Sequence, residues 1–545
     1  MRICREKLIC VLVGIAAAGG AIACANAAPP EISSFFPTGV QRGQTTEIAA
    51  SGNLGNWPSK VWTEMPGLTI EPATEKGKLK ITAAADAPAG IHWIRLINDE
   101  GASLPRPLMV GTLPECVETE PNNALQEAQA LASQQAVSGK LARRGDVDVF
   151  AVALQPGQTL IADLLANELL SSPMDAVLQL CDSAGNVLAQ QHDTRGLDPR
   201  LIHTAKVAGT YLVRVFAFPA QPDSSINFAG GDNYLYRLTL TTGGFVDHSM
   251  PLAITRGSAA ELTLVGWNLP QATVRLEPPA QDWRDTWSWQ PPDAAGLVPL
   301  QVVDHQVLLV DPSASRQTPQ SVPTPVTLTG QLQSPRDEDV FSITATKGKP
   351  LEIRVESTSL GYDMDPVVSV IDASGKTVAE DDDGRRNDRD PSLTFSPPAD
   401  GSYQVVVRDL HRRSGMRMVY LCTIAEPRPD YSLTVAAGNF RIAPGMTLEV
   451  PVTINRRAGY KEELEISAAG LPAGVTVESA RSAGEGDASK SVKLVLKAAA
   501  ESQSGSFRIV AKTVAAAAPL ERMATFETTH GNAKLAHREL WLSAK

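Results

Sequence analysis

The sequence predicts an all-β protein, a string of Ig-like and jelly-roll-like β-sandwich domains. Proline (39) and glycine (41) are abundant and aromatic residues make up only 5% of the chain, while valine, threonine and leucine alternate with polar residues in short runs. At 545 residues the chain is too long for one core, and domains of about 100–150 residues predict four or five of them. Blocks of sequence also recur, so a repeated architecture has to be considered before any fold is named.

Residues 1–27 read as an export signal. Arg2, Arg5 and Lys7 form a basic start, Leu8 to Ala23 is an apolar run, and Ala25-Asn26-Ala27 offers a small-residue cleavage site. A lipoprotein signal competes, because Ala21-Ile22-Ala23 precedes Cys24, although the usual leucine is missing from the first of those positions. Either reading predicts an exported protein, periplasmic, secreted or held at the cell surface. Past the signal no apolar run approaches the ~18 residues of a membrane span.

A formal net charge of −11 argues against nucleic acid or an anionic membrane as the main partner. Beyond the signal only Cys116, Cys181 and Cys422 remain, which make no disulfide framework. With no CxxC or Cys/His site, soft transition metals are not expected.

Residues 28–112 hold short apolar runs, Lys78 to Ile81 and Gly90 to Ile97, bounded by Pro, Gly and Asp, which is the pattern of strands and turns. Their opening, Arg42-Gly43, Glu47 and Gly52-Asn53-Leu54, resembles the IPT/TIG immunoglobulin-like class, implying a small sandwich. The same order returns in residues 244–324 as Arg256-Gly257, Glu261, Gly266 and Asn268-Leu269, with one residue inserted before Asn-Leu.

A longer repeat comes after each of these openings, over 113–243 and 325–425. Gly139-Lys140-Leu141 with Asp146-Val147-Asp148-Val149-Phe150 matches Gly330-Gln331-Leu332 with Asp337-Glu338-Asp339-Val340-Phe341. Asp182-Ser183-Ala184-Gly185 matches Asp372-Ala373-Ser374-Gly375, the form of a hairpin turn in which Gly supplies positive φ. In Tyr211, Val213 and Val215, and in Tyr403, Val405 and Val407, every second side chain is apolar, predicting one buried and one wet sheet face. Together with Glu380 to Gly384, Ser392 to Phe395, Pro398 and Gly401, these residues resemble the bacterial pre-peptidase C-terminal domain. That resemblance implies a jelly-roll-like sandwich, often appended to secreted proteases and related to the collagen-binding domains of bacterial collagenases.

Residues 426–545 change pattern again, with Tyr431 to Val435, Thr447 to Ile454 and Glu463 to Ile466 predicting a terminal immunoglobulin- or fibronectin-like sandwich. Ser482 to Lys490 reads as a loop, and the tail beyond Thr528 carries no clear signal.

The candidate site is Glu118, Glu120, Asn122, Asn123, Asp146 and Asp148. Carboxylates and amide oxygens are hard ligands, and crowding that many anions is costly unless a cation such as calcium neutralises them. Glu-x-Glu in an extended segment and Asp-x-Asp in a strand each place side chains on one side, so two short segments are expected to encircle the ion. The collagenase-type relatives are implied to coordinate calcium through a similar Glu-x-Glu-x-Asn segment. In the second copy Pro323-Thr324-Pro325 takes that place, and Asp381, Asp382, Asp383 and Asp390 form an acidic run that Arg385, Arg386 and Arg389 can neutralise.

Catalytic motifs are absent: no HExxH, no GxSxG, no Cys/His signature. His192, His203 and His305 read as surface histidines, and Trp283, Trp287 and Trp289 as packing of the middle sandwich. The expectation is a non-enzymatic, calcium-stabilised binding or scaffold protein, its partner an extracellular or envelope protein or polysaccharide. The alternative is an accessory protein of a secreted peptidase or an unrecognised hydrolase.

Overall fold

The computed structural model describes residues 28–545 apart from 58, 222–226, 279–284, 385–387, 515–519 and 531–532. The predicted signal with Cys24, together with Trp283, Arg385 and Arg386, lies outside the described residues. Nearly all regular structure is β, and no described helix is long and apolar enough to cross a membrane.

The first sandwich pairs Glu31–Phe36, Thr45–Asn53, Lys78–Ala83 and Leu68–Pro72 in one sheet and Gly39–Gln41, Arg106–Gly111, Gly90–Asn98 and Lys60–Thr63 in the other. Its chain switches sheets early, so that Gly39–Gln41 runs parallel to Arg106–Gly111. The third sandwich repeats this device: Phe245–Met250 pairs with Ala260–Trp267, and Ala253–Thr255 runs parallel to Val298–Val303. Trp287 and Trp289 pack partly buried against its core, as large apolar rings generally do.

The second and fourth sandwiches share one strand order. In the second, one sheet runs Glu115–Val117, Gln134–Lys140, Leu235–Thr241, Thr159–Leu165, Arg200–Thr204, and the other Gln129–Leu131, Asp148–Leu154, Gly209–Pro219, Met174–Cys181, Val187–Gln191. In the fourth, Gln306–Leu309 and Gln320–Ser321 take the places of the first strand of each sheet. This corrects the expected boundary at 324/325: parallel pairing of Gln306–Leu309 with Val326–Gln331 puts the chain from 306 onward in the fourth sandwich. The hydrogen bonds repeat too. Gln129 accepts from the Thr119 amide at 2.7 Å and donates to the Val117 carbonyl at 3.3 Å, and Gln320 does the same with Asp311 at 2.8 Å and Leu309 at 3.1 Å.

Two recurring glycines have packing reasons. A Cβ on Gly139 would lie 2.1 Å from the Tyr236 ring, and one on Gly330 would lie 2.3 Å from the Tyr420 ring, so each tyrosine lies flat across its glycine. Gly185 and Gly375 close the Asp-x-x-Gly turns at φ 88° and 85°, where a Cβ would be strained.

Inward faces hold Tyr211, Val213 and Val215 in the second core and Tyr403, Val405 and Val407 in the fourth. The outward face of the second sandwich departs from the expected wet face. Val147, Val149, Val177, Cys181, Leu212 and Phe216 form another buried layer there, covered by Leu125, Ala128 and Phe228. In the fifth sandwich the segment beyond Thr528, unread in the sequence, supplies Leu540–Ala544, which pairs with Asn439–Ile442 and Gly505–Thr513 and buries Leu540 and Leu542.

The string also closes on itself. Arg95 of the first sandwich, 2% exposed, donates to the Glu539 carbonyl at 2.7 Å and to Asn439 Oδ1 at 3.1 Å. Its guanidinium lies 5.6 Å from the Trp62 ring centre and 5.5 Å from that of Phe526. At a second junction Asp247 of the third sandwich accepts from Arg200 of the second and, at 2.6 Å, from Arg417 of the fourth. Burial opposes the Asp247 charge, but His248 Nδ1 at 2.7 Å and the two guanidiniums outweigh it and hold the carboxyl well below the usual range.

Candidate metal centre

The segment that follows the Glu115–Val117 strand is pinned onto the body of the second sandwich. Glu118 donates its amide to the Ser138 carbonyl at 3.1 Å, and the Asn122 carbonyl accepts from Val149 at 2.9 Å. Asp146 sits in the turn before the Asp148–Leu154 strand, with its amide on the Arg143 carbonyl at 3.1 Å. These contacts bring ligand atoms of Glu120, Asp146 and Asp148 within 4.8 Å of one another. Oxygens held at 2.3–2.6 Å from one calcium ion lie at most about 5 Å apart, so the spacing suits that ion.

Asn122, fully buried, completes the group. Its amide oxygen faces the Glu120 and Asp148 carboxylates; turned over, its nitrogen would donate to Glu120 Oε2 at 3.3 Å and Asp148 Oδ1 at 3.1 Å. Asp146 Oδ2 accepts from the Ala142 amide at 2.6 Å, whereas its buried Oδ1 has no hydrogen-bond partner. A buried anionic oxygen without a donor is an arrangement that a bound cation resolves.

Glu118 and Asn123 stand outside this inner group. Glu118 accepts from the Lys140 amide at 2.6 Å and the Tyr236 hydroxyl at 3.0 Å. Asn123 donates to Glu120 Oε2 at 3.0 Å and so orients a ligand. Sequence reasoning missed Tyr236, whose hydroxyl lies 2.5 Å from Asp148 Oδ2. The available signal was its recurrence as Tyr420.

Electrostatics follow from the crowding. With protein groups alone, burial and then the charge of Glu118 push Asp148 up to about 10, and burial raises Glu118 as well. At neutral pH Asp148 therefore keeps its proton, which a cation would displace.

The fourth sandwich keeps half the pattern. Tyr420 donates to Asp339 Oδ2 at 2.6 Å, and Asp337 Oδ2 accepts from the Gln333 amide at 2.9 Å. Val310-Asp311-Pro312, and not Pro323-Thr324-Pro325, occupies the place of Glu118-Thr119-Glu120, because Val310 donates to the Thr329 carbonyl at 3.0 Å as Glu118 does to Ser138. Asp339 is left without further carboxylate ligands, and burial pushes it up to about 7. Glu338 turns outward, to Arg316 and Arg412 at 2.9 Å.

The acidic run is not assembled as an oxygen site. Asp390, 3% exposed, accepts from the amides of Ser357 at 3.1 Å, Thr358 at 3.0 Å and Ser359 at 2.9 Å, as Asp198 does at Ala166, Asn167 and Glu168. Asp381 accepts from the Ser392 amide at 2.9 Å, and Asp382 and Asp383 are exposed. His192 pairs with Asp193 at the surface at 2.8 Å. Cys116, Cys181 and Cys422 are free thiols, so Cys116 and Cys181 do not pair.

Against known proteins, the chain is similar to a probable subtilase-type serine protease of Deinococcus radiodurans, 29% identical over 192 residues. That match takes in 32% of this chain and 24% of the relative, so the chain spans about a quarter of the curated protein it matches. Among solved structures, the pre-peptidase C-terminal domain of a Bacillus anthracis collagenase aligns over its whole length (100%) and 23% of this chain, at 17% identity and TM-score 0.17. The N-terminal four Ig domains of Dscam1 align over 97% of their length and 92% of this chain, at 10% identity and TM-score 0.17. Residues 337–409, in the fourth sandwich, match the family model of the bacterial pre-peptidase C-terminal domain.

Proposed function

We propose that this is an exported, non-catalytic binding or scaffold protein whose second sandwich is a diverged pre-peptidase C-terminal domain stabilised by calcium. The observation that carries the reading is the group formed by Glu120, Asn122, Asp146 and Asp148, with its unpartnered Asp146 oxygen. Glu120 and Asn122 lie on the segment joining the Glu115–Val117 and Gln129–Leu131 strands of the second sandwich, and Asp146 and Asp148 at the start of its Asp148–Leu154 strand. Calcium, when bound, supplies the positive charge that lets the four oxygens approach, and so fixes that segment, which carries the first strand of each sheet. Exposed loops and sheet faces would bind an extracellular or envelope protein or polysaccharide. The shared strand order of the second and fourth sandwiches supports a common family for both.

A second reading, accessory protein of a secreted peptidase, is favoured by the family match at 337–409 and the likeness to a subtilase-type protease. Casein degradation by the purified chain, alone and added to a secreted serine protease, separates the two. The binding reading predicts no effect in either mixture.

Calorimetric titration of calcium tests the site itself. Because Asp148 holds a proton in the absence of a cation, uptake at neutral pH is expected to expel about one proton per ion, read from two buffers of different ionisation enthalpy. E120A and D146A should each weaken binding by about tenfold or more, and D382A should leave it unchanged. Failure of the wild-type chain to take up calcium at millimolar concentration rejects the reading.

A further inference from the structure

We propose that the junction closing the first sandwich onto the fifth is an acid-labile latch, built on two buried imidazoles that stand beside Arg106 and Arg95. The chain of contacts starts in the first sandwich, where Arg106 Nη1 donates to Ser171 Oγ of the second at 3.3 Å. Ser171 Oγ lies 3.0 Å from His530 Nδ1, His530 Nε2 lies 3.0 Å from Thr528 Oγ1, and Thr528 Oγ1 lies 2.7 Å from His537 Nε2. His530, Thr528 and His537 are 1%, 7% and 8% exposed. Trp93 of the first sandwich touches both imidazoles, with ring centres 5.2 and 4.8 Å away.

Thr528 Oγ1 has one hydrogen to share between His530 Nε2 and His537 Nε2, so at least one of the two rings donates to it. Ser171 Oγ links His530 to the Arg106 guanidinium, and the Phe526 ring lies between His537 and the Arg95 guanidinium, 5.3 Å from the imidazole and 5.5 Å from the arginine. A proton added to either ring therefore places a second buried cation beside an arginine.

The surrounding charges act in the same direction. Arg106 from the first sandwich faces His530, and Arg95 faces His537, with Glu539 and Glu64 engaged electrostatically with Arg95. From the second sandwich Glu168 interacts with Arg195. On the hairpin of the histidines Glu527 is paired with Lys534 at 3.7 Å, on an exposed face. Burial, then Arg106, lowers His530 to about 4; burial, then Arg95 and His530, lowers His537 to about 3. Undocked, both imidazoles return toward about 6.5. The open form therefore binds more protons as pH falls from about 6.5 toward 4, and closure weakens by up to tenfold per pH unit for each histidine.

The test is small-angle scattering of the full chain in saturating calcium, from about pH 7.5 down to about pH 4. The wild type is expected to expand as the first and fifth sandwiches part, and an H530N/H537N chain to stay closed at least one pH unit lower. A wild type that stays closed to pH 4, or a double variant that opens at the wild-type pH, overturns the proposal. E120A should open at the wild-type midpoint; a displaced midpoint would assign the opening to loss of calcium and also overturn it. Should the double variant be open already at pH 7.5, the wild-type histidine C2 resonances decide. Two of the eight histidines titrating below about pH 5 support the latch, and all of them titrating near or above 6 sink it.

Discussion

Asp247→Ala is expected to destabilise the joined second, third and fourth sandwiches by about 3–5 kcal/mol, the cost of breaking a buried ion pair by removing one partner. The Asp247 side chain is fully buried and receives Arg200, Arg417 and His248. Without it, Arg200, only 3% exposed, keeps Asp163 at 2.7 Å but loses its second anion. Arg417, with its guanidinium 5.2 Å from the Tyr362 ring centre, keeps the Gly361 carbonyl and the exposed Asp363 at 3.6 Å. Urea unfolding should show the loss in the transition that separates these sandwiches. The combination D247A/R417M should be less damaging than the two single losses added together, because it removes both charges of one pair. A loss below about 1 kcal/mol for D247A would mean that the junction is hydrated and that the arginines find water in place of Asp247.

Asp339→Asn is expected to act in the opposite direction and stabilise the fourth sandwich. Burial pushes Asp339 up to about 7, from an ordinary value of 3.8. An acid with a raised folded value binds its proton more tightly when folded, so stability falls as pH climbs from about 4 to 7 and the full cost stands above 7. Each unit is worth about 1.4 kcal/mol, so removing the charge returns roughly 2–4 kcal/mol at pH 8 and almost nothing at pH 4. Asparagine still accepts from Tyr420, which now donates at 2.6 Å. Thermal melts at the two pH values check the sign. Equal effects at both would show that Asp339 does not titrate in this range.

The parts of this molecule that depend on neighbours in sequence were readable from sequence, and the parts that depend on sheet register were not. Alternation in Tyr403, Val405 and Val407 and the Asp-x-x-Gly turns announced sandwiches, because strand faces and hairpins are local properties. Glu120, Asn122, Asp146 and Asp148 were found because each pair sits within one short segment. Tyr236 escaped notice since it reaches Asp148 across 88 residues, through the pairing that sets Gly139 opposite it. Asp247 meets Arg417 across 170 residues, and nothing about an isolated Asp-His dipeptide announces a junction of three sandwiches. The misplaced start of the fourth sandwich has the same origin. Val310-Asp311-Pro312 lost the charges of its counterpart, so strand pairing and the hydrogen bonds of Val310 and Gln320 are what reveal it.

A cation among four oxygens of the second sandwich is the central claim, and the response of Asp148→Asn to calcium tests it most directly. In chelator Asp148 already holds a proton at neutral pH, so the neutral, isosteric asparagine should melt at or slightly above the wild-type midpoint. In millimolar calcium the wild type should gain about 1–2 kcal/mol, as a site of extracellular affinity near saturation provides, while the variant, short of a charged ligand, should gain almost none. A wild-type midpoint that does not move between chelator and calcium, with the variant at or above it in both, would contradict the claim and leave the cluster a set of proton-sharing carboxyls.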